Sequence, residues 1–345
     1  MDFYFLLYII SQIVYKILKT PEFFYKNIGT ISIALMPLSI LYSLIYIILY
    51  YYKRFFCSKT LDINAKIICV GNLTLGGSGK TEICLSIGRI LNDAGCKFCY
   101  LTKGYGRKSI DNLSIAKGFL TDDYEKYGDE PILLAEVADT YIFRDRIEFL
   151  LSNEAKNYDY IIMDDGLHDN RFKKDITIAL FDEKYLDGNG QIVPSGPKRC
   201  PYFLYSKKID YIIYTNSFYN KRSASIESIL QPKSVFFSKI LHKNKIANGD
   251  YIAFSGLGIN EKFFSYLEKN NIKIVKKISF ADHFAYKESD FEKLIDIQKT
   301  MKCQGIITTS KDFVKISEKF RKYFVEFKIF HVIESFDIEV KKIIS

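Results

Sequence analysis

The stretch from Lys66 to Thr81 constrains the fold of this chain more than any other. Residues 66–70 form an apolar run typical of a short buried strand, and a glycine-rich turn follows it. From Lys80 onward apolar residues recur at helical spacing, and Gly95 is placed to end the helix. This order of strand, glycine loop and helix predicts a parallel α/β fold.

The residue types in this loop are those that bind phosphate. Glycines let backbone N–H groups turn towards phosphate oxygens, and the helix N-terminus adds partial positive charge. Lys80 is placed to reach the β- and γ-phosphates of a nucleotide, and the Thr81 hydroxyl to ligate Mg²⁺. We therefore predict a nucleotide site made of Thr74, Leu75, Gly76, Gly77, Ser78, Gly79, Lys80 and Thr81. Because Thr74 replaces the glycine of the usual motif, an ordinary turn before a helix is the alternative.

Composition narrows the class of protein. The 345 residues are 48% hydrophobic and 26% charged, which allows about two domains with substantial cores. The net charge of +9 permits anionic partners, but no basic run with interleaved aromatics predicts nucleic-acid binding. Seven scattered cysteines indicate a reducing compartment. We interpret Cys96 and Cys99 as residues of a turn and a strand rather than as a redox or zinc pair.

Residues 1–56 predict a hydrophobic membrane anchor. No charged residue occurs between Asn27 and Tyr52, and residues 28–52 as a helix would be long enough to cross a hydrocarbon core of about 30 Å. Pro37 should kink or break such a helix, so a helix lying in the membrane interface is an open alternative to a span. The basic residues after the run place the following chain on the cytoplasmic side.

Two carboxylates follow a clear apolar strand in the middle of the chain. The predicted strands are 98–101, 158–163 and 209–214, and a helix is predicted at 132–137. Asp164 and Asp165 come directly after the strand 158–163. Carboxylates at the C-terminal end of a parallel strand lie beside a phosphate loop, where they can hold Mg²⁺ directly or through water. We predict them as metal ligands with Thr81, and a helix cap or turn is the alternative.

The chain divides into three predicted regions, which are an anchor at 1–56, a core domain at 57–240 and a C-terminal α/β subdomain at 241–345. Residues 236–250 are interpreted as a Lys/Asn-rich linker. The second unit is predicted to contain a strand from Tyr251, a helix from about Glu261 and strands at 272–278 and 304–309. Of the four histidines, His283 is the best acid–base candidate. His331 is predicted to be structural, His242 to be solvated, and His168 to lie near the carboxylates.

This ordered set of motifs resembles that of one family, the tetraacyldisaccharide 4'-kinases of lipid A synthesis. The similar positions run from about residue 22 to residue 316. They comprise residues 37–42, the stretch 70–81, Gly104-Tyr105-Gly106, Gly128-Asp129-Glu130-Pro131, Asp164-Asp165-Gly166, residues 194–197, residues 254–258, Asp282-His283, Thr308-Thr309 and Lys311-Asp312. The family also has threonine at the position of Thr74.

The resemblance implies transfer of the γ-phosphate of ATP to the 4'-hydroxyl of an acylated glucosamine disaccharide 1-phosphate, which gives lipid IVA. It implies that Asp129 is a general base working with His283, that Lys80 is also catalytic, and that Asp164 and Asp165 are associated with Mg²⁺. The implied fold is a P-loop nucleoside triphosphatase-like parallel sheet domain with a second, smaller α/β domain and an N-terminal membrane-associated helix. The implied location is the bacterial inner membrane, with the catalytic domains on its cytoplasmic face and membrane lipid as a partner.

The chain also departs from this family. Arginine is usual where Lys103 stands, Phe-Gln-His where Leu167-His168-Asp169 stand, glutamate at Cys200 and at Ser310, and a second histidine at Phe284. At these positions the resemblance does not assign the residues that contact the substrate and the nucleotide. Two rival hypotheses are a kinase of the same fold that phosphorylates another membrane-embedded alcohol, and a nucleotide-gated membrane adaptor that is not an enzyme.

Overall fold

The computed structural model describes residues 21–61, 63–119, 123–216, 220–242, 246–333, 336, 339 and 340. The first twenty residues of the predicted anchor therefore lie outside the described residues. The described chain forms two β-sheets with helices packed on them, and one long apolar helix on the surface.

The bounds of the elements are as follows. The strands are β1 (Lys66–Asn72), β2 (Phe98–Thr102), β3 (Leu113–Ile115), β4 (Thr140–Ile142), β5 (Tyr160–Asp164), β6 (Ile176–Asp182), β7 (Tyr211–Thr215), β8 (Ser234–His242), β9 (Asp250–Ser255), β10 (Lys273–Ser279), β11 (Gly305–Thr309), β12 (Phe324–Phe327) and β13 (Ile329–Ile333). The α-helices are α1 (Thr30–Phe56), α2 (Lys80–Asp93), α3 (Tyr124–Tyr127), α4 (Asp129–Ala135), α5 (Arg146–Leu150), α6 (Ala224–Leu230), α7 (Asn260–Lys269), α8 (Glu288–Thr300), α9 (Ser310–Phe313) and α10 (Glu318–Arg321). Short 3₁₀ turns occupy Glu22–Tyr25, Glu154–Asn157 and Tyr202–Tyr205.

The larger sheet has nine strands in the order β13-β8-β7-β6-β1-β5-β2-β4-β3. The seven strands from β8 to β4 are parallel, and β13 and β3 pair antiparallel at the two edges. Strand β1 lies in the middle between β5 and β6, and its residues from Ile67 to Asn72 are buried. Because ligands of parallel sheets bind at the carboxyl ends of the strands, this position makes the turn after Asn72 the centre of a candidate site.

The smaller sheet has four parallel strands in the order β10-β9-β11-β12. The strands predicted at 98–101, 158–163, 209–214, 272–278 and 304–309 all occur, each within two residues of its predicted bounds. The predicted α/β fold with a second, smaller unit is therefore confirmed.

The interpretation of residues 236–250 as a linker is wrong for the part up to His242, which belongs to β8. Lys239 and Leu241 are exposed on this strand near the sheet edge, so its sequence lacks the apolar pattern of a central strand. Strand β13 then returns from the second unit to pair with β8, so the sheets do not divide at the predicted boundary at residue 240. His242 is not a solvated linker residue either, because its ring lies 5.1 Å from that of Phe327.

Helix α1 continues through Pro37, so the break that the proline could cause does not occur. Ser32 and Ser39, on either side of the proline, are buried against the core. The Ser39 hydroxyl donates to the carbonyl of Ile192 at 2.8 Å, and that of Ser195 donates to the carbonyl of Ser32 at 2.6 Å. These contacts fasten both halves of the helix to the core, so tertiary packing offsets the local cost of proline.

The face of α1 that meets the protein is polar, and the opposite face is apolar. The hydroxyls of Tyr42 and Tyr50 donate to the carbonyls of Arg199 and Leu204, both at 3.0 Å. The exposed face carries Ile31, Ile33, Leu38, Ile40, Leu41, Leu44, Ile48, Tyr51, Tyr52, Phe55 and Phe56. The helix is long and apolar enough to cross a membrane, and only 11% of its most apolar window is buried. An outward apolar face of this size marks an interaction surface.

Candidate active site

The turn between β1 and α2 has the backbone geometry that its glycines predict. Gly76 and Gly79 have φ angles of +105° and +73°, which residues with a side chain adopt only with strain. A Cβ atom at Gly79 would also lie 3.2 Å from Nε2 of His331. Lys80 is the first residue of α2, so the helix N-terminus opens onto this turn.

Two other segments contact this loop. The backbone N–H of Leu75 donates to the carbonyl of Pro197 at 2.8 Å, so the motif at 194–197 packs beside the loop. From the second unit, the Lys262 ammonium donates to the carbonyl of Gly77 at 2.7 Å and pairs with Asp182 at 2.9 Å. The buried Ser78 hydroxyl has no hydrogen-bond partner among the described residues, so it is left for a ligand.

The two predicted carboxylates lie next to the loop because β5 pairs with β1. Asp164 is opposite Val70 in the parallel register. Asp165 has a φ of +52°, and its carboxylate lies 3.9 Å from the Lys80 ammonium and 3.3 Å from the Arg199 guanidinium. Burial opposes ionisation of Asp165, but these two cations hold its pKa below its usual range. Lys80 and Asp165 are therefore oppositely charged partners beside the loop.

Asp164 differs from its neighbour in environment. Burial and the nearby Glu130 carboxylate raise its pKa to about 8, against the opposing effect of Lys80. Its Oδ1 atom is buried and has no hydrogen-bond partner among the described residues. Such an oxygen is costly to leave bare, so it is available to a ligand.

The oxygens at this point fit a magnesium ion. Asp164, Asp165 and the Thr81 hydroxyl are hard oxygen donors, the type that Mg²⁺ takes together with waters and substrate phosphates. In the described part of the chain no group of three or more His, Cys, Asp or Glu residues could hold a metal by itself.

Sequence reasoning missed two arginines that support these carboxylates. Arg146 is 2% exposed, and its Nη2 donates to the backbone carbonyls of Asp164 at 2.6 Å and Asp165 at 3.1 Å. Arg199 bonds the Asp165 side chain. Nothing local singles out either arginine, since both reach the site only through the sheet topology.

The second cluster joins the two units of the protein. Nδ1 of His283 lies 3.2 Å from Oδ2 of Asp129, and its Nε2 lies 3.2 Å from the Lys311 ammonium. An ammonium only donates, so Nε2 accepts its hydrogen and the imidazole proton is on Nδ1. His283 therefore donates to Asp129 through Nδ1–H. His283 adopts a φ of +53°, a backbone conformation uncommon for a residue with a side chain.

Asp129 is surrounded by donors although it is only 3% exposed. Its carboxylate accepts from the backbone N–H of Glu130 at 2.9 Å and pairs with the Lys315 ammonium at 3.1 Å. Burial alone would raise the pKa of Asp129, but Lys311, His283 and Lys315 hold it well below its usual range. Asp129 is therefore an anion at every ordinary pH.

Lysines from the second unit supply the positive charge of this cluster. The Lys311 ammonium lies 3.0 Å from the Glu130 carboxylate. Burial opposes its charge, but Glu130, Asp129 and Asp282 raise the pKa of Lys311 well above its usual range. The sequence contains Lys311 in a family motif, whereas Lys315 gave no signal beyond lying four residues further on.

The two clusters lie next to each other. Helix α4, which begins at Asp129, packs on α2, which begins at Lys80. The Glu130 carboxylate is close enough to raise the pKa of Asp164. Lys311 of one cluster and Lys80 of the other are both close enough to Glu82 to oppose the rise in its pKa that burial causes. The loop from Gly104 to Gly106 closes one side, because a Cβ atom at Gly106 would lie 3.6 Å from Nδ1 of His283. Anionic and cationic groups thus converge at the ends of the central strands.

Two other histidines lie near the loop. The ring Nε2 of His168 lies 3.1 Å from the carbonyl of Asn72, and burial lowers its pKa to about 4. His331 is buried, hydrogen-bonds Ser238 through Nδ1 and has its pKa lowered to about 4 by burial. A neutral, buried His331 fits the predicted structural role.

Comparison with known proteins identifies relatives of this chain. The sequence profile described as tetraacyldisaccharide-1-P 4'-kinase (LpxK) matches residues 31–342. The tetraacyldisaccharide 4'-kinase of Rickettsia canadensis (strain McKiel) is 33% identical over 302 residues, which cover 86% of this chain and 88% of the relative. That of Rickettsia felis is 33% identical over 305 residues, with the same shares covered.

A solved structure has the same overall fold. It is the "apo" form of LpxK from Aquifex aeolicus in complex with ATP, with a TM-score of 0.69 and 26% sequence identity. The match covers 91% of this chain and 98% of that one. The resemblance inferred from the ordered motifs is thus confirmed, and the chain belongs to the tetraacyldisaccharide 4'-kinase family.

Proposed function

We propose that this protein transfers the γ-phosphate of ATP to the 4'-hydroxyl of a tetraacyldisaccharide 1-phosphate, as a step of lipid A biosynthesis. The observation that carries the proposal is that the helix that begins at Asp129, the partner of His283, packs on the helix that begins at Lys80, after the glycine loop. One cluster suits the phosphates of a nucleotide and the other suits an acceptor hydroxyl. Together with the family match, this favours a kinase over a binding protein.

Lys80, Thr81 and the loop from Thr74 to Gly79 are the proposed nucleotide site. The backbone N–H groups and the α2 N-terminus bind the β- and γ-phosphates, and the Lys80 ammonium neutralises charge on the transferred group. Asp165 holds Lys80 in place before ATP arrives. Since phosphoryl transfer has a loose transition state, positioning and charge neutralisation supply most of the catalysis.

Asp129 is the proposed acceptor of the proton from the sugar hydroxyl. His283 donates to one carboxylate oxygen and so fixes the carboxylate in orientation. Its low pKa makes Asp129 a weak base, which suffices because the hydroxyl releases its proton only late in the reaction. The hydroxyl is thus oriented towards the γ-phosphate by a group that is always ionised.

Mg²⁺ is the proposed metal, held by Thr81, Asp164 and Asp165. When bound with ATP, it would neutralise charge on the phosphate oxygens. The bare, buried Oδ1 of Asp164 supports this assignment. Arg146 donates to the backbone carbonyls of both carboxylate residues and so helps to hold them in place.

The proposed location is the cytoplasmic face of the bacterial inner membrane, with residues 1–56 as the anchor. The kinase core is built on the larger sheet, which includes β8 and β13, and the subdomain built on the smaller sheet supplies His283. A substrate with four acyl chains stays in the bilayer, because exposing each CH₂ group to water costs about 0.8 kcal/mol. Helix α1 contacts the core from Ser32 to Tyr50, a length of about 27 Å at 1.5 Å per residue. A helix docked along that length favours a position in the interface over a span.

The direct test is to incubate the purified protein in detergent with Mg-ATP and the acylated disaccharide 1-phosphate. Mass spectrometry should show addition of one phosphate to the disaccharide, and a competing diacylglycerol should remain unmodified. Lys80→Ala should abolish most of the product while the protein stays folded. Phosphorylation of the diacylglycerol alone would support a kinase of another membrane alcohol, and ATP binding without any product would support a non-catalytic adaptor.

A further inference from the structure

A polar cluster lies between the membrane helix and the phosphate loop, and the proposed reaction does not use it. It consists of Tyr46 on α1, His168 after β5, and Cys200 and Tyr205. Cys200 and Tyr205 are buried, with 0% and 3% of their surface exposed. The Cys200 thiol interacts with the hydroxyls of Tyr46 and Tyr205. Two of these positions, His168 and Cys200, are ones at which the chain departs from the usual family residues.

The hydrogen bonds of this cluster have a defined direction. Nε2 of His168 lies 3.1 Å from the backbone carbonyl of Asn72, which can only accept, so Nε2 carries the proton. Nδ1 of the neutral ring is then an acceptor. The Tyr46 hydroxyl lies 2.8 Å and the Tyr205 hydroxyl 3.0 Å from Nδ1, and the two oxygens lie 2.7 Å apart. One hydroxyl therefore donates to Nδ1 while the other donates within the pair.

Asn72 connects this cluster to the loop. It is the last residue of β1, it is fully buried, and its side-chain amide donates to the carbonyl of Gly76 at 3.2 Å. A shift of the Asn72 backbone therefore moves the start of the phosphate loop and one of its glycines together. His168 is the side chain that joins this backbone to the hydroxyl on α1.

We propose that Tyr46, Tyr205 and His168 are positioning residues through which the docked membrane helix sets the phosphate loop for ATP. The proposal rests on the proposed function of the loop as a nucleotide site. When the membrane holds helix α1 in its docked position, the loop conformation that binds phosphate is favoured. When the helix shifts from that position, ATP binding weakens. The reaction is thereby coupled to the surface on which the acceptor lies.

The arrangement predicts a specific pattern among variants. Either tyrosine hydroxyl alone can donate to Nδ1, so Tyr46→Phe and Tyr205→Phe should each weaken ATP binding less than about threefold. The double variant leaves Nδ1 without a hydroxyl donor and should raise the Kd about tenfold, which corresponds to about 1.4 kcal/mol. His168→Leu should match the double variant. A general loss of helix packing would instead give additive effects.

The test measures the Kd of a fluorescent ATP analogue, without acceptor, for the full chain in lipid–detergent micelles. The matched control is Tyr50→Phe, which removes a hydroxyl from the same helix that bonds the carbonyl of Leu204. The control should leave the Kd unchanged, and the KM for the glycolipid should change little in all variants. Thermal unfolding with and without nucleotide reports how much of each effect is loss of stability.

Three results would overturn the coupling. These are an unchanged Kd in the double variant, additive effects of the two single variants, or an equal loss in Tyr50→Phe. Because the Kd is measured without acceptor, the expected pattern can hold even if no disaccharide is phosphorylated. The expected Kd pattern without phosphorylation of the disaccharide would refute the proposed function and support the coupling. Phosphorylation of the disaccharide with an unchanged Kd in the double variant would support the proposed function and refute the coupling.

Discussion

The side chains of Asp129 and His283 meet at 3.2 Å although 154 residues separate them in the chain. The carboxylate lies at the start of α4 beside the larger sheet, and the imidazole follows β10 of the smaller sheet. Their contact therefore depends on how the two units close on each other. This contact joins a buried carboxylate of one unit to an imidazole of the other.

Replacement of His283 tests the orientation of this carboxylate. We expect His283→Gly to lower kcat by about 10²–10³, because Asp129 loses the donor that fixes it, and to leave the KM for ATP unchanged. Glycine is chosen because it tolerates the positive φ of this position and has no side-chain donor. Steady-state kinetics with His242→Gly as the control provide the measurement. A change in KM alone would mean that His283 binds nucleotide instead.

The lowered pKa of Lys103 leads us to expect that acceptor binding depends on pH. Burial and the neighbouring Arg146, Lys53 and Arg171 lower the pKa of Lys103 to about 8. If this ammonium helps to hold the anionic acceptor, its charge is present below about pH 8 and is lost as the pH rises through that value. The KM for the glycolipid should then rise about tenfold between pH 8 and pH 9.5.

A charge-preserving variant provides the control for this effect. Arginine stays protonated in proteins, so Lys103→Arg should keep the KM low across the alkaline range. Lys103→Met should have the raised KM already below pH 8 and show no further rise at alkaline pH. An alkaline rise that persists in the arginine variant would exclude Lys103 as its source.

Arg146 predicts a large effect on stability. Removing its guanidinium in Arg146→Met leaves the carbonyls of Asp164 and Asp165 without these bonds in a buried place, which should cost about 2–3 kcal/mol. The neighbouring Arg144 is exposed, so Arg144→Met should change stability by less than about 0.5 kcal/mol. Urea unfolding compares the two variants, and equal midpoints would contradict the role given to Arg146.

The position of α1 in the membrane can be measured with introduced tryptophans, since the chain has none. Ile33, Leu41 and Ile48 all lie on the exposed face of the helix. If the helix lies in the interface, lipids brominated at graded depths should quench Ile33→Trp, Leu41→Trp and Ile48→Trp at one shallow depth. A helix that spans the bilayer would place the tryptophan at position 41 deepest.

The local parts of the site could be predicted from the sequence. The loop before Lys80 and the carboxylates after β5 follow directly from short apolar strands, so their relative positions are a consequence of parallel pairing. His283 was predicted in the same way, as a polar residue after a strand. Each of these features can be predicted from residues that are adjacent in the sequence.

The rest depends on contacts between distant segments. Strand β13 pairs with β8 across a long sequence separation, and Arg146 and Lys315 reach the site only through the final packing. Pro37 predicted a break that docking of Ser32 and Ser39 prevents. Local propensity and periodicity contain none of this information.

The most direct test of the central claim follows the γ-phosphate itself. Purified protein is given ATP labelled with ³²P in the γ-position together with the acylated disaccharide 1-phosphate, and the label at the 4'-position is measured against bound nucleotide. The account predicts rapid labelling by the wild-type chain and, for Asp129→Asn, ATP binding close to wild type with labelling reduced by at least about 10². Labelling by Asp129→Asn at the wild-type rate would contradict it.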